Sequence, residues 1–408
     1  MTATRDGSAL RPLPVVRHGT GFWIVAVTFT AVMAYSTVPT PLYGLYERAD
    51  GFPQFVVTFV FAAYAVGVVA ALYLAGHLSD VVGRRRMILV AVAVEIAAAV
   101  VFLLWPQLPG LLVARLVSGV GVGLLTATAT AHLGELRSRA HPEEDAANAV
   151  TVSGVANLGG LGLGPLVGGL FAEFLPAPLV LPHLVFLVVF VLGLVAIAMV
   201  AETVAPPVER RPYRPQRIAV PEKARATFVA AGAAAFSAFA VFGLFTSLAP
   251  TFLVVSLHQP DRLVAGIVSF SVFAAACFAQ VLLRTVTVAR QLRVVLVVLP
   301  AGLVLLAVGA VIGSFPLFTL GGVLAGAGVG LLFRCALARA ASTADAGSRG
   351  AVLAAVFLIA YAGLCVPVLL VGGALVVFQP VPVLVVFVAL VLVAVVVSAV
   401  GMLRRSDG

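Results

Sequence analysis

Apolar segments of about twenty residues recur from one end of this 408-residue chain to the other. An α-helix of that length, rising ~1.5 Å per residue, crosses the ~30 Å hydrocarbon core of a bilayer. Only 10% of the residues are charged, whereas a soluble domain carries about a quarter. The polar/apolar alternation of a membrane β-barrel is absent. The sequence therefore predicts an all-α integral membrane protein.

Proline, glycine and charged residues divide the sequence into twelve predicted spans, and basic residues cluster in alternate connections. Lys and Arg are retained on the cytoplasmic side of membranes. We therefore predict a multi-pass protein of the cytoplasmic (plasma) membrane with both termini, including the basic N-terminal tail, inside. The arginines of the predicted cytoplasmic side include Arg84, Arg85, Arg86, Arg137, Arg139, Arg284, Arg290, Arg293, Arg339 and Arg349, against only Arg48 and Arg262 opposite. This dispersed charge, +9 in total, does not predict a nucleic-acid partner.

The two halves of the chain share a glycine pattern. Ser118-Gly-Val-Gly-Val-Gly-Leu-Leu in span 4 matches Ala325-Gly-Ala-Gly-Val-Gly-Leu-Leu in span 10. A polar segment rich in Pro and Arg lies between the halves. We predict two pseudo-symmetric six-helix bundles, residues 1–201 and 226–408, joined by a cytoplasmic linker, 202–225. Chance similarity of glycine-rich membrane helices is the alternative explanation.

The loop between spans 2 and 3 reads Gly76-His-Leu-Ser-Asp-Val-Val-Gly-Arg-Arg-Arg86. Charged residues beside a bilayer are costly unless they serve a purpose. The spacing Gly-x-Leu-Ser-Asp-x-x-Gly-Arg-Arg resembles the signature loop of major facilitator superfamily transporters. The resemblance implies the twelve-helix major facilitator fold, alternating access, and a substrate site between the two halves near the midplane.

The resemblance also implies a gate at this loop. Asp80 would face the start of helix 11 near 348–350, and Arg84 would pair with Glu135 at the end of helix 4. Breaking this network would accompany rocking of the halves. The alternative is a basic cluster that only sets topology. The predicted gating residues are Gly76, Asp80, Gly83, Arg84, Arg85 and Glu135.

Span 4 contains Arg115-Leu-Val-Ser-Gly119, which resembles the second motif of the family, Arg-x-x-x-Gly. A guanidinium this deep needs partners, and the resemblance gives it a role in proton coupling or charge balance. Glu95, near the middle of span 3, is a candidate proton carrier because burial favours a protonated carboxyl. Alternatively, Arg115 anchors the helix at the interface, and Glu95 pairs with Arg115 or stays protonated among apolar neighbours.

Span 5 contains Gly154 followed by Gly159-Gly-Leu-Gly-Leu-Gly-Pro-Leu-Val-Gly-Gly169. The pattern resembles the motif typical of the twelve-helix drug/proton antiporter family, with slightly different spacing before Gly-Pro. Proline kinks such a helix, and glycines let neighbouring helices slide. Tight packing without any meaning for antiport is the alternative. The predicted antiporter-helix residues are Gly154, Gly164, Pro165, Gly168 and Gly169.

Aromatic and polar residues of several spans are candidates for a substrate cavity, since aromatic walls suit hydrophobic ligands. Plain helix packing explains such residues equally well. Arg334 is a second deep arginine, and an anionic substrate would neutralise it. The predicted cavity residues are Tyr35, Tyr43, Tyr64, Asn157, Phe239, Phe242, Arg334 and Tyr361.

These features favour a proton-coupled exporter of amphipathic small molecules or drugs, monomeric in the lipid membrane. Two alternatives remain: a proton-coupled carrier of a specific anionic metabolite, and a transporter-like receptor or lipid-handling protein. No nucleophile–base pair or phosphate-cradling loop points to an enzyme. The three dispersed cysteines predict no metal site or disulfide, and no cofactor is expected.

Overall fold

The computed structural model describes residues 15–53, 55–76, 78–144, 147–204, 222–343 and 349–404. Within these ranges the chain is helical and contains no β-strand. Among the described residues, twelve helices are long and apolar enough to cross a membrane, which agrees with the predicted count. They are α1 (His18–Asp50), α2 (Val56–Ala75), α3 (Arg84–Leu104), α4 (Leu108–Ala140), α5 (Ala147–Phe174), α6 (Leu181–Ala198), α7 (Glu222–Gly243, continued to Leu257), α8 (Arg262–Leu282), α9 (Val288–Val311), α10 (Phe315–Ser342), α11 (Arg349–Ala374) and α12 (Pro380–Arg404).

The helices pack as two bundles with matching arrangements. In the first half α1 contacts α4, α5 and α6, while α4 contacts α2 and α3, and α3 contacts α6. Adding six to each number gives the contacts of the second half. The two most extensive contacts between the halves, α2 with α11 and α5 with α8, are exchanged by the same operation. The fold is therefore pseudo-symmetric, as predicted.

The repeated glycines occupy equivalent packing positions in the two halves. A Cβ on Gly119 would collide with the Tyr64 carbonyl on α2, and one on Gly326 would collide with the Val272 carbonyl on α8. Glycine is needed at both places because the backbones touch. The repeat in the sequence thus corresponds to a helix contact that occurs in both halves.

The first helix of each half is interrupted near the same depth. Thr40–Leu42 forms a 3₁₀ turn within α1, and Leu244–Leu248 forms a π turn within α7. Prolines explain both breaks, because Pro41 and Pro250 have no N–H to donate to the helical ladder. The Thr40 hydroxyl donates to the carbonyl of Thr246 at 2.7 Å, so the two breaks meet across the halves.

The helix connections divide between two ends of the molecule. We call the end that carries the loop 76–86 the basic end and the other the opposite end. In the signature loop the chain forms a short helix, Ser79–Val82, and turns at Gly83 with φ of +108°. That backbone conformation favours glycine. Linker residues 205–221 lie outside the described residues.

Candidate functional site

Arg84 is the centre of a charged cluster at the basic end. Its guanidinium lies 2.5 Å from Asp80 and 3.2 Å from Glu135 on α4, and it donates to the Ser79 hydroxyl at 2.6 Å. A guanidinium offers five N–H donors in a planar fork, so one arginine can hold several acceptors. The structure therefore brings together the predicted pair Arg84 and Glu135.

Residues just after α6 complete this cluster, and the sequence analysis did not identify them. The Glu202 carboxylate accepts hydrogen bonds from the backbone N–H groups of Arg84 and Thr203, both at 2.9 Å. The Thr203 hydroxyl donates its single hydrogen to Glu135. His132 Nδ1, 2.9 Å from that hydroxyl, must therefore be the donor in its own bond to Thr203. The start of the linker is thus part of the predicted gate.

The remaining predicted gating residues lie around the cluster. A Cβ on Gly83 would meet the Glu202 carboxylate, and Arg85 donates to the carbonyl of Val200 at 3.2 Å. Gly76 ends α2 and is half-buried. The Asp80 side chain is 60% exposed. Its expected neighbour at the start of α11 includes Ser348, which lies outside the described residues.

Arg115 is almost completely buried in the middle of the first bundle. One guanidinium nitrogen donates to the Ser36 carbonyl on α1 at 2.5 Å, and the guanidinium carbon lies 4.4 Å from the centre of the Tyr64 ring. Among the described residues its Nε has no hydrogen-bond partner. The charge is held by one carbonyl and an aromatic face, so the arginine is not an interfacial anchor.

Glu95 is fully buried on α3, beside α4. Its Oε1 lies 3.4 Å from the Ser118 hydroxyl, a long contact, and against Gly121, where a Cβ would come within 2.6 Å. Within the described part of the chain its Oε2 has no hydrogen-bond partner. At the equivalent contact in the second half, Gly328 faces Leu299. Packing alone therefore does not require a carboxyl here.

An aromatic cluster lies where the two halves meet. Tyr64 on α2 is a neighbour of Tyr361 on α11. The Tyr361 ring lies 5.5 Å from that of Phe239, which in turn lies 4.8 Å from Phe333 and 5.8 Å from Phe242. These five side chains are buried and join the first bundle, next to Arg115, to the core of the second. We call them the aromatic cleft.

Four predicted cavity residues lie outside the aromatic cleft. Tyr43 is buried beside Arg115, and Asn157 is buried on α5. Tyr35 faces α3 and α6, its ring packing against Phe102, Phe186 and Phe190, so its expected place in the cavity is not observed. Arg334 donates to two carbonyls at the end of α8, those of Gln280 at 2.8 Å and Arg284 at 3.1 Å. These acceptors satisfy Arg334 without an anion.

The glycines of α5 face two neighbours. Gly164 and Gly168 approach α1, where a Cβ would collide with the backbone carbonyls of Ala34 and Val38, respectively. Gly169 approaches the start of α8 in the other half, and the Pro165 carbonyl lies against Gly266 of α8. Gly154 has more room, since a Cβ there would lie 3.1 Å from Gln280 Oε1. Small residues thus let α5 pack closely against both partners.

A buried histidine in the first bundle is a further polar feature that the sequence analysis did not single out. His183, near the start of α6, has Nδ1 at 2.9 Å from the Tyr35 hydroxyl and Nε2 at 2.9 Å from the Tyr46 hydroxyl. The Phe102 ring stacks on the imidazole at 4.4 Å between centroids. A lone histidine within an apolar span is itself a signal, because ionisable residues are rare there.

Comparisons with known proteins agree with the geometry. A model of the Major Facilitator Superfamily matches residues 18–367. The human organic anion transporter MFSD10 (TETRAN) is 18% identical, with 93% of this chain and 99% of that chain covered and a TM-score of 0.70. A POT family transporter in complex with 5-aminolevulinic acid is 12% identical, with 93% and 95% covered and a TM-score of 0.71. No curated protein matches the sequence. Identities this low indicate a shared fold only.

Proposed function

Because the chain belongs to the major facilitator superfamily of membrane transporters, we propose that it is a proton-coupled exporter of amphipathic small molecules. Transport would proceed by alternating access, with both termini in the cytoplasm. The observation that carries this proposal is the burial of Glu95 and Arg115 within the first bundle, where Arg115 lies against Tyr64 at the junction of the two halves. A carboxyl and a guanidinium in a membrane interior are costly and are typical of ion pathways.

Glu95 is the proposed proton carrier. A carboxyl within an apolar bundle is stable when protonated and costly when charged, so its protonation depends on access to water and on nearby charge. Arg115 supplies the nearby positive charge. A movement of α4 against α3 would change the distance between this charge and Glu95, which provides a physical link between conformation and proton release.

The aromatic cleft is the proposed substrate site. Its walls are phenyl and phenol rings, and the hydroxyls of Tyr64 and Tyr361 are the polar groups at its centre. Such a lining favours ligands with an apolar body and a few polar atoms. The cleft is closed in this structure, so binding would require the halves to separate.

The glycine motif of α5, which resembles that of drug/proton antiporters, supports antiport. This helix contacts both α1 of its own half and α8 of the other. Rocking of the halves would slide α5 along α8 through the contact of Pro165 with Gly266. The charged cluster around Arg84 would hold the basic end during this movement and act as a gate.

An anionic metabolite is a second candidate substrate. The buried Arg115 supports it, and one structural neighbour is described as an organic anion transporter. Arg334 does not support it, because carbonyl groups at the end of α8 satisfy this side chain. We therefore favour amphipathic substrates over a dedicated anion carrier.

Proton flux in proteoliposomes tests the proposal. The purified protein would be reconstituted with an internal pH-sensitive dye and challenged with lipophilic cations, neutral drugs and organic anions. Proton movement triggered by several unrelated amphipathic compounds, and lost in Arg115→Ala, is expected. A response to organic anions alone would favour the second candidate. No proton movement with any of the compounds would contradict proton-coupled transport and leave a receptor or lipid-handling role.

A further inference from the structure

Three buried polar side chains cross between α1 and α6, on the side of the first bundle away from the aromatic cleft. Tyr46 and Tyr35 extend from α1, and the His183 imidazole lies between their hydroxyls at 2.9 Å from each. All three side chains are at most 1% exposed. A neutral imidazole has one N–H donor and one acceptor nitrogen, so one tyrosine donates to it and the other accepts. The three groups form a directional hydrogen-bonded chain.

Packing does not account for these polar atoms. Phe186 and Phe190 on α6 already contact the Tyr35 ring, and Phe102 from α3 stacks on the imidazole. Aromatic and aliphatic groups alone would hold α6 to α1 at lower cost, because buried polar groups gain little over their hydration. Intramembrane ionisable residues of this kind are candidates for proton relays.

The hydrogen-bonded chain connects two places that differ in their access to water. At one end Tyr46 is followed by half-buried Glu47 and exposed Arg48, at the opposite end of the molecule. At the other end the Tyr35 ring packs against Phe102 of α3, about two helical turns after Glu95 on the same helix. The hydrogen-bonded chain therefore runs from near the surface of the opposite end to the face of α3 that carries Glu95.

We propose that Tyr46, His183 and Tyr35 form the proton relay between water at the opposite end and Glu95, separate from the path of the substrate. The inference rests on the proposed proton coupling. A proton from water reaches the Tyr46 oxygen as the Tyr46 hydroxyl proton passes to Nε2 of His183. The Nδ1 proton then passes to Tyr35, whose own proton passes to the Glu95 carboxylate in a conformation that brings the two groups together, since no hydrogen bond joins them among the described residues of this structure. The net change is one proton on Glu95 and the other imidazole tautomer, which re-equilibrates between turnovers.

Histidine suits this role because one ring nitrogen can accept a proton while the other releases one, so the ring stays neutral overall. Its charge state depends on groups that face it from each neighbouring helix. The titratable and charged groups on the helices packed against α6 are His18, Tyr35, Tyr43, Tyr46, Glu47, Arg48 and Asp50 of α1, Glu95 and Arg84–Arg86 of α3, and Glu173 of α5. Of these, the two tyrosine hydroxyls contact the imidazole directly.

The test compares His183→Gln and Tyr46→Phe with Phe102→Leu in proteoliposomes that contain the full chain. Gln keeps a polar side chain but cannot relay a proton, and Phe keeps the ring without the hydroxyl. Phe102→Leu is the control for packing, because it removes the ring stacked on the imidazole and no proton site. Two rates are measured for each protein: accumulation driven by a pH gradient, and equilibrium exchange of labelled substrate, which moves no net proton. The dependence of the driven rate on pH at the opposite face is also recorded.

For the relay we expect both relay variants to lose driven accumulation by on the order of a hundredfold, with a flattened pH dependence and exchange within about twofold of wild type. The control should keep both rates in the same proportion as wild type. Driven accumulation at wild-type level in His183→Gln would overturn the relay. An equal loss of driven accumulation and equilibrium exchange in Tyr46→Phe would also overturn the relay, since it would indicate that the tyrosine only stabilises the packing of α1 against α6. A wild-type protein that exchanges substrate but never moves protons would refute the proposed coupling itself, and the relay with it.

Discussion

The backbone N–H of Arg84 donates to the carboxylate of Glu202 at 2.9 Å, joining the signature loop to the first residues of the linker. The same oxygen accepts from the N–H groups of Thr203 and Val204. Three donors on one carboxylate oxygen make this a strong, charge-assisted contact. The predicted gating loop is therefore bonded directly to the start of the connection between the two halves.

Glu202→Ala tests this connection. Removing the carboxylate leaves three backbone donors without their acceptor, so we expect a loss of about 1–3 kcal/mol in the free energy of unfolding and reduced transport. Glu202→Gln keeps an acceptor oxygen and should be intermediate in both respects. Thermal unfolding in detergent and substrate transport in proteoliposomes provide the two measurements. Wild-type behaviour of the alanine variant in both would show that the linker contact has no role.

Asp80→Asn separates gating from folding. The Asp80 side chain is largely exposed and its described ion-pair partner is Arg84, four residues later. An exposed pair contributes about 0–1 kcal/mol, so the melting temperature should scarcely change. Transport should nevertheless fall sharply if Asp80 acts in the gate. Full transport activity in this variant would contradict gating and favour a loop that only sets topology.

The sequence predicted the architecture well because the length and spacing of apolar segments follow directly from bilayer thickness. It also predicted the partners Arg84 and Glu135, although only through a family resemblance. The orientation of Tyr35 could not be predicted. α1 is apolar on every side, so hydrophobic periodicity does not distinguish the face towards the cleft from the face towards α6.

Contacts that depend on the tertiary structure could not be predicted for a different reason. Glu202 and Thr203 stand in a polar segment that resembles an ordinary linker, and nothing local indicates that they reach Arg84 and Glu135. Arg334 looks unpaired in the sequence because no acid lies near it. Its acceptors are backbone carbonyls at the end of α8. Every residue has a backbone carbonyl, so the sequence does not show which of them will accept from Arg334.

Glu95→Gln distinguishes a proton carrier from a structural ion pair. Gln has nearly the same shape, stays neutral and can still contact Ser118. If Glu95 carries the proton, driven accumulation should fall by on the order of a hundredfold while equilibrium exchange and stability persist. If Glu95 is instead the structural partner of Arg115, the variant should lose about 3–5 kcal/mol, because Arg115 would be left as a buried unpaired charge. Thermal unfolding and the two transport rates decide between these outcomes.

Two glycines of α5 should respond to alanine with opposite signs. A Cβ on Gly164 would collide with Thr37 and the Ala34 carbonyl of α1, so Gly164→Ala should cost about 1–3 kcal/mol by overpacking. A Cβ on Gly159 would meet Cys277 and Val155 at 3.7 Å, an ordinary contact distance. Gly159→Ala should be neutral or stabilise by about 0.5–1 kcal/mol, since alanine favours helix. Equal melting temperatures for the two variants would contradict the close approach of α5 to α1.

Arg334→Lys tests whether this arginine holds a helix end or binds an anion. The guanidinium bridges the carbonyls of Gln280 and Arg284 at the C-terminal end of α8, where positive charge is favourable. A lysine ammonium has no planar fork to span both carbonyls, so we expect a loss of about 1–2 kcal/mol and an unchanged preference among cationic, neutral and anionic substrates. Arg290→Lys, at an exposed position on α9, is the matched control and should change neither. Selective loss of anion transport in Arg334→Lys, with an unchanged melting temperature, would instead assign Arg334 to a substrate site. An anionic metabolite would then be the favoured substrate.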